Sequence, residues 1–161
     1  MTMRKIDILL SEYGASHQNS TNKSIHWICV PLIFFSIVSL IASIPAAPLK
    51  VIIGTYSPFA NWATVVLVFI TLYYVTLSRT LAMGMLLFGL LCLLVADLIA
   101  GLATTPLWLI SIIIFVLAWV GQFYGHKVEG KKPSFLKDIQ FLLIGPAWLM
   151  HFIYKHFGIP Y

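Results

Sequence analysis

Three observations predict an all-α fold, a polytopic bundle of membrane helices. Sixty per cent of the 161 residues are hydrophobic and only 9% carry charge, with a mean hydropathy of +0.96. A soluble domain of this length has too little interior to hide so much apolar side chain. Several apolar stretches approach the roughly 20 residues that a spanning helix needs. The ten Lys and Arg residues lie mostly beside those stretches, a pattern of orientation and headgroup contact. One integral-membrane domain over residues 1–161 is expected, with four transmembrane helices plus a fifth apolar helix at the C-terminal end.

The elements follow in order. Residues 3–13, "MRKIDILLSEY", place Ile6, Leu9, Leu10 and Tyr13 on one face, the pattern of a short interfacial helix. "GASHQNSTNKS" supplies turn and cap residues, so residues 1–25 read as a polar or interfacial segment. The first span is expected at 26–44, with Pro31 as a kink and Pro45 and Pro48 as its stop. The second covers 60–78, and Arg79 separates it from the third at 81–100. Pro106 suits the first turn of a fourth span, 106–126. A basic loop follows to Pro133. The apolar segment 134–157 is interrupted by Asp138, Gln140, Gly145–Pro146 and His151, and reads as a spanning, re-entrant or interfacial helix.

Cys29 and Cys92 sit inside apolar runs and read as small buried hydrophobes, not as a disulfide. The start has no cleavable-signal pattern, so the first span is expected to stay inserted. No basic face on a water-soluble fold is visible, which excludes nucleic acid as a partner. Membrane lipid is the expected solvent, and an oligomer is compatible with the pattern. With the N-terminus cytoplasmic, that side receives Arg4, Lys5, Lys23, Arg79, Lys127, Lys131, Lys132 and Lys137, and the opposite face receives Lys50. The segments "SHQNSTNKSIH" and "GQFYGHKVEG" then share one membrane face.

Those segments carry the chemistry. Asn22 and His26 are four residues apart, as are Gln122 and His126, and Glu129 follows at three. At about 100° per residue, each set forms one stripe on a helix face. His17 needs the intervening loop to bring it round. His17, His26, His126 and Glu129 can thus converge as nitrogen and oxygen ligands suited to Fe(II), Zn(II) or Mn(II). Asn22 and Gln122 are expected to hold the imidazole rings by their other nitrogens. A bland reading stands beside this one: each histidine sits wet at headgroup level, and Glu129 forms a surface ion pair with Lys127, Lys131 or Lys132. His151 is either a further ligand or a hydrogen-bonded core residue, and His156 is an interfacial residue. Asp97 falls at the opposite end from both clusters. Trp27, Trp108, Trp119 and Trp148 read as packing and interfacial belt.

On "YGASHQNSTNKSIHWICVPL" and "GQFYGHKVEGKKPSFLKDIQFLLIGP" the chain resembles the fungal 2-hydroxy-fatty-acid dioxygenase family, and in particular its compact bacterial-type branch. The resemblance implies an Fe(2+)-dependent α-oxidation. In it a 2-hydroxy fatty acid and molecular oxygen yield carbon dioxide and an acid one carbon shorter. It carries iron binding and catalysis to His17, His26 and His126, and less directly to Glu129. A multi-pass protein of the bacterial inner membrane, or of the endoplasmic reticulum if eukaryotic, is implied, with the polar site on the cytoplasmic side. A 2-hydroxy carboxylate can chelate iron through two oxygens, which places the bond to be broken beside the metal. Lys23, Lys127 and Lys131 are candidates to attract the carboxylate.

Two other classes compete: a small transporter gated by polar residues, and a lipid-binding protein without chemistry. A transporter calls for ionisable groups near the bilayer midplane, whereas here they lie almost only at helix ends. A histidine-box desaturase needs adjacent His–His pairs, and the five histidines include none.

Overall fold

The computed structural model describes residues 4–130 and 135–161, and of 135–140 the backbone alone. Seven helices and no strand occur among these residues: α1 (Lys5–Ala15), α2 (Ser20–Ala42), α3 (Ala47–Ile53), α4 (Trp62–Leu77), α5 (Arg79–Leu102), α6 (Leu107–Glu129) and α7 (Phe135–His156). The side chains of Asn19, Asn61 and Ser78 accept from backbone amides of the first turns of α2, α4 and α5, satisfying donors that a helix start leaves unpaired. Gly130, at φ 72°, ends α6 in the left-handed conformation that an L side chain resists.

Helices α2, α5 and α6 are long and apolar enough to cross a membrane; α4, with 16 residues, is shorter. Much of their apolar surface faces outward, most of all on α6. Helix α2 is central and touches α4, α5, α6 and α7.

Its contact with α6 is the most intimate because Gly121 and Gly125 lie one turn apart on the seam. A Cβ on Gly121 would stand 2.6 Å from the Cys29 sulfur, and one on Gly125 would stand 2.5 Å from Asn22 Oδ1. Two small residues four apart let helix backbones approach this closely.

Several expectations are corrected. The helix that contains the expected first span begins at Ser20, because Asn19 caps it. Pro31 lies inside α2. The helix that contains the expected fourth span reaches Glu129, and the unforeseen α3 follows Pro45. The apolar face expected on α1 is buried in the protein: Ile6, Leu9, Leu10 and Tyr13 are covered, and α1 packs on α7. Helix α7 runs unbroken through Gly145 and Pro146, so there is no re-entrant hairpin between 135 and 156. Trp148 packs on Tyr13, the Tyr154 hydroxyl donates to the Thr80 carbonyl at 2.8 Å, and Leu142 lies beside the cluster of Cys29, Ile33 and Ala118. Cys29 and Cys92 are both buried and free.

Candidate metal centre

Helices α2 and α6 run antiparallel, so the second turn of α2 and the last turn of α6 meet at one end of the bundle. His26 is contributed by the first and His126 by the second. His17 follows the end of α1, in the turn between α1 and α2. His17 and His26 are 2% and 1% exposed, and His126 is half-buried. Ring centroids are 4.2 Å apart for His17–His26, 5.1 Å for His26–His126 and 5.4 Å for His17–His126.

One ring nitrogen from each histidine lies within 4.8 Å of the other two, and this is the group that can hold a metal ion among the described residues. A triangle with edges no longer than 4.8 Å has its centre at most about 2.8 Å from each corner. Closing by about 0.7 Å or less brings all three to metal–nitrogen distances near 2.1 Å.

Backbone carbonyls set the two buried rings. His17 Nδ1 donates to the Tyr13 carbonyl at 2.6 Å, and His26 Nδ1 donates to the Asn22 carbonyl at 2.9 Å. A carbonyl accepts only, so the proton sits on Nδ1 and the Nε2 lone pair is the ligating one in each ring. The Gln122 side chain, 5% exposed, hydrogen-bonds the His26 ring. Asn22 holds the His26 ring through its backbone carbonyl, not through its side-chain amide.

That amide is turned to Glu129. Asn22 Nδ2 donates to Glu129 Oε2 at 3.0 Å, Asn19 N donates to the same oxygen at 2.9 Å, and Gln18 N donates to Oε1 at 2.8 Å. The expected fourth ligand is thus outside the three-histidine group. Its carboxylate ties the turn that carries His17 to the end of α6. Both of its oxygens are engaged by donors that would otherwise have been left over at the start of α2.

The remaining expected positions separate. His151 Nδ1 pairs with the Tyr161 hydroxyl, and its ring packs on Phe152 and Tyr161, away from the triad. Lys23 is half-buried one turn before His26, and Lys127 is exposed beside His126. Lys131 lies outside the described residues. Asp97 lines a cavity at the opposite end together with Lys50.

Two residues at the centre were not singled out for it. The Tyr13 ring stacks on His17 at 4.2 Å and 11°, and Trp148 approaches the same ring at 5.5 Å. Tyr13 precedes His17 by four residues, the spacing at which a helix end brings one ring over the other. Trp148 left no such local signal.

Fold and site together define an all-helical protein with apolar outer surfaces and a buried three-histidine centre that could hold a metal. A family comparison then gives the particular kinship. The profile of the 2-hydroxy-palmitic acid dioxygenase Mpo1-like family matches residues 3–157, and the chain belongs to that family. No curated protein and no solved structure matches it.

Proposed function

We propose that the protein is a membrane-embedded Fe(II)-dependent dioxygenase that shortens 2-hydroxy fatty acids by one carbon, with His17, His26 and His126 as the ligands. The observation that carries this reading is the convergence of three ring nitrogens, from three separate segments, within 4.8 Å. Family membership supports the substrate class. The donor set fits the metal: imidazole suits divalent iron, no thiolate is present, and three ligands leave positions open for substrate and oxygen.

The balance closes without another reductant. One 2-hydroxy acid and one oxygen molecule give the shortened acid, carbon dioxide and water, the four electrons taken from the substrate reducing the oxygen. Bound iron supplies the redox centre and the template for chelation. The chain does the rest. The Tyr13 and Asn22 carbonyls fix the tautomers of His17 and His26. Tyr13 and Trp148 cover the His17 ring and limit water at it. Lys23 and Lys127, with Lys131 beyond the described residues, draw the carboxylate toward the centre on the cytoplasmic side.

The test is elemental analysis of purified protein reconstituted with Fe(II), together with mass detection of the shortened acid. About one iron per chain is expected, lost in His126→Ala along with product. Metal content unchanged in a folded His126→Ala protein overturns the assignment. A wild-type protein that binds no metal but retains lipid favours the lipid-binding alternative.

A further inference from the structure

We propose that the apolar cavity between α2, α4 and α7 receives the methyl end of the substrate's acyl chain and so sets chain-length preference, an inference that rests on the function proposed above. The cavity measures about 110 Å³, and every residue lining it is hydrophobic, among them Ile37, Ile41, Val66, Ile70 and Leu142. A water-sized group needs roughly 10–15 Å³ of such space, so the cavity suits several methylene-sized groups but not a whole chain. With no polar partner on its walls, it is a poor place for water and a good one for hydrocarbon.

Its position relative to the triad selects the occupant. On α2, Ile37 follows His26 by eleven residues, which returns it to within roughly 20° of the same helix face. Phe34 and Ile41, both on the cavity wall, lie eight and fifteen residues beyond His26, or roughly 12 and 22 Å along the axis. One leaflet of a bilayer is about 15 Å of hydrocarbon, half of a core of about 30 Å. A membrane-length acyl chain whose head is held at the histidines therefore ends at the depth of this cavity.

The side chains between the two are apolar. One hydrophobic cluster runs from Tyr13 through Val30 and Phe34 to Val38 and Leu67, and Tyr13 stacks on His17. Val66 is 37% exposed, so the cavity opens on the outer apolar surface and a chain can enter sideways from lipid. Its head never has to leave the interface.

Two opposed variants test this. Val66→Phe fills the cavity and Ile37→Ala widens it, while Val120→Phe, on the outward face of α6, is the control. The readout is the ratio of kcat/KM for 2-hydroxy acids of about sixteen and about ten carbons, since each excluded methylene weakens binding severalfold. Val66→Phe is expected to lower that ratio roughly tenfold by excluding about two methylenes. Ile37→Ala is expected to shift the optimum toward longer chains, and Val120→Phe to leave the profile alone. An unchanged profile in both cavity variants, with metal content intact, overturns the inference and spares the proposed function. A wild-type protein that turns over no 2-hydroxy acid of any length overturns both. If Val66→Phe does not fold, the Ile37→Ala profile decides.

Discussion

At the triad end of the bundle, polar side chains are packed away: Asn22, His26 and Gln122 are at most 5% exposed. At the other end α3 buries no residue, Tyr56 is 99% exposed and Val51 86%. A cavity of about 440 Å³ there admits Lys50, Asn61 and Asp97. The same antiparallel helices, α2 and α6, serve both ends. What differs is the glycine pair on α6, which lets the two helix backbones approach closely beside the histidines. Burial of polar groups is costly unless each finds a partner. Asn22 Nδ2, Glu129, His17 Nδ1 and His26 Nδ1 all do so. The tight end therefore gathers the groups that could hold a metal, whereas the loose end leaves its connecting residues exposed.

The largest effect separating the two ends is expected from a methyl group. Gly125→Ala forces a Cβ to within 2.5 Å of Asn22 Oδ1, and overpacking of that kind costs about 1–3 kcal/mol. Thermal unfolding in detergent should show the loss, with weakened metal binding beside it. Gly101→Ala, where nothing lies within 4 Å, should instead gain about 0.5–1 kcal/mol from the better helix former. Equal effects at the two positions would erase the distinction drawn between the ends.

Next in size is Glu129→Gln. Donors fall on both Glu129 oxygens, and the Gln NH2 cannot accept. At least one bond is therefore lost, the others lose their charge assistance, and the turn bearing His17 loosens from α6. Loss of such an outer partner typically weakens metal binding by about 10–100-fold, readable by competition with a chelator. Hydrogen exchange at the amides of Gln18 and Asn19 should quicken at the same time. If Glu129 were instead a ligand, those amides would keep their protection in the metal-loaded protein.

The smallest contrast compares two caps. Asn19 caps α2 and Asn61 caps α4, so replacing either by Ala should cost about 1 kcal/mol. Only Asn19→Ala should also lower metal affinity: its backbone amide stays, but the start of α2 that its side chain orders is the segment tied to Glu129. A fall in metal affinity with Asn61→Ala would mean that the ends are coupled through the whole bundle.

Legibility in the sequence follows the same division. The helical spacing of Asn22 with His26, and of Gln122 with His126, was readable because each pair lies within a single helix. Positive-inside asymmetry placed the two segments on one face, and the structure brings them to one end of the bundle. The seam itself left a trace that went unread: Gly121 and Gly125 in "GQFYG" are the small-residue spacing of close helix pairs. The roles of Glu129 and His151 were not readable. Glu129 was equally placed to join the histidines or to accept from α2, and only the arrival of Gln18 and Asn19, 111 and 110 residues away, made the choice. His151 pairs with Tyr161 across a helix end, a contact that spacing does not announce. The interruption expected at Gly145–Pro146 was a propensity argument, and packing of α7 against α1, α2 and α5 overrides it.

By itself, then, the order of residues determined that this chain is helical and apolar outside, and which imidazoles stand at helix ends. Those properties depend on hydropathy and periodicity over stretches of about 20 residues. The tertiary structure decided that three imidazoles close to within 4.8 Å while a carboxylate beside them ties a turn in place. That choice belongs to distance in space: donors and acceptors far apart along the chain compete for one another only after α2 and α6 have met.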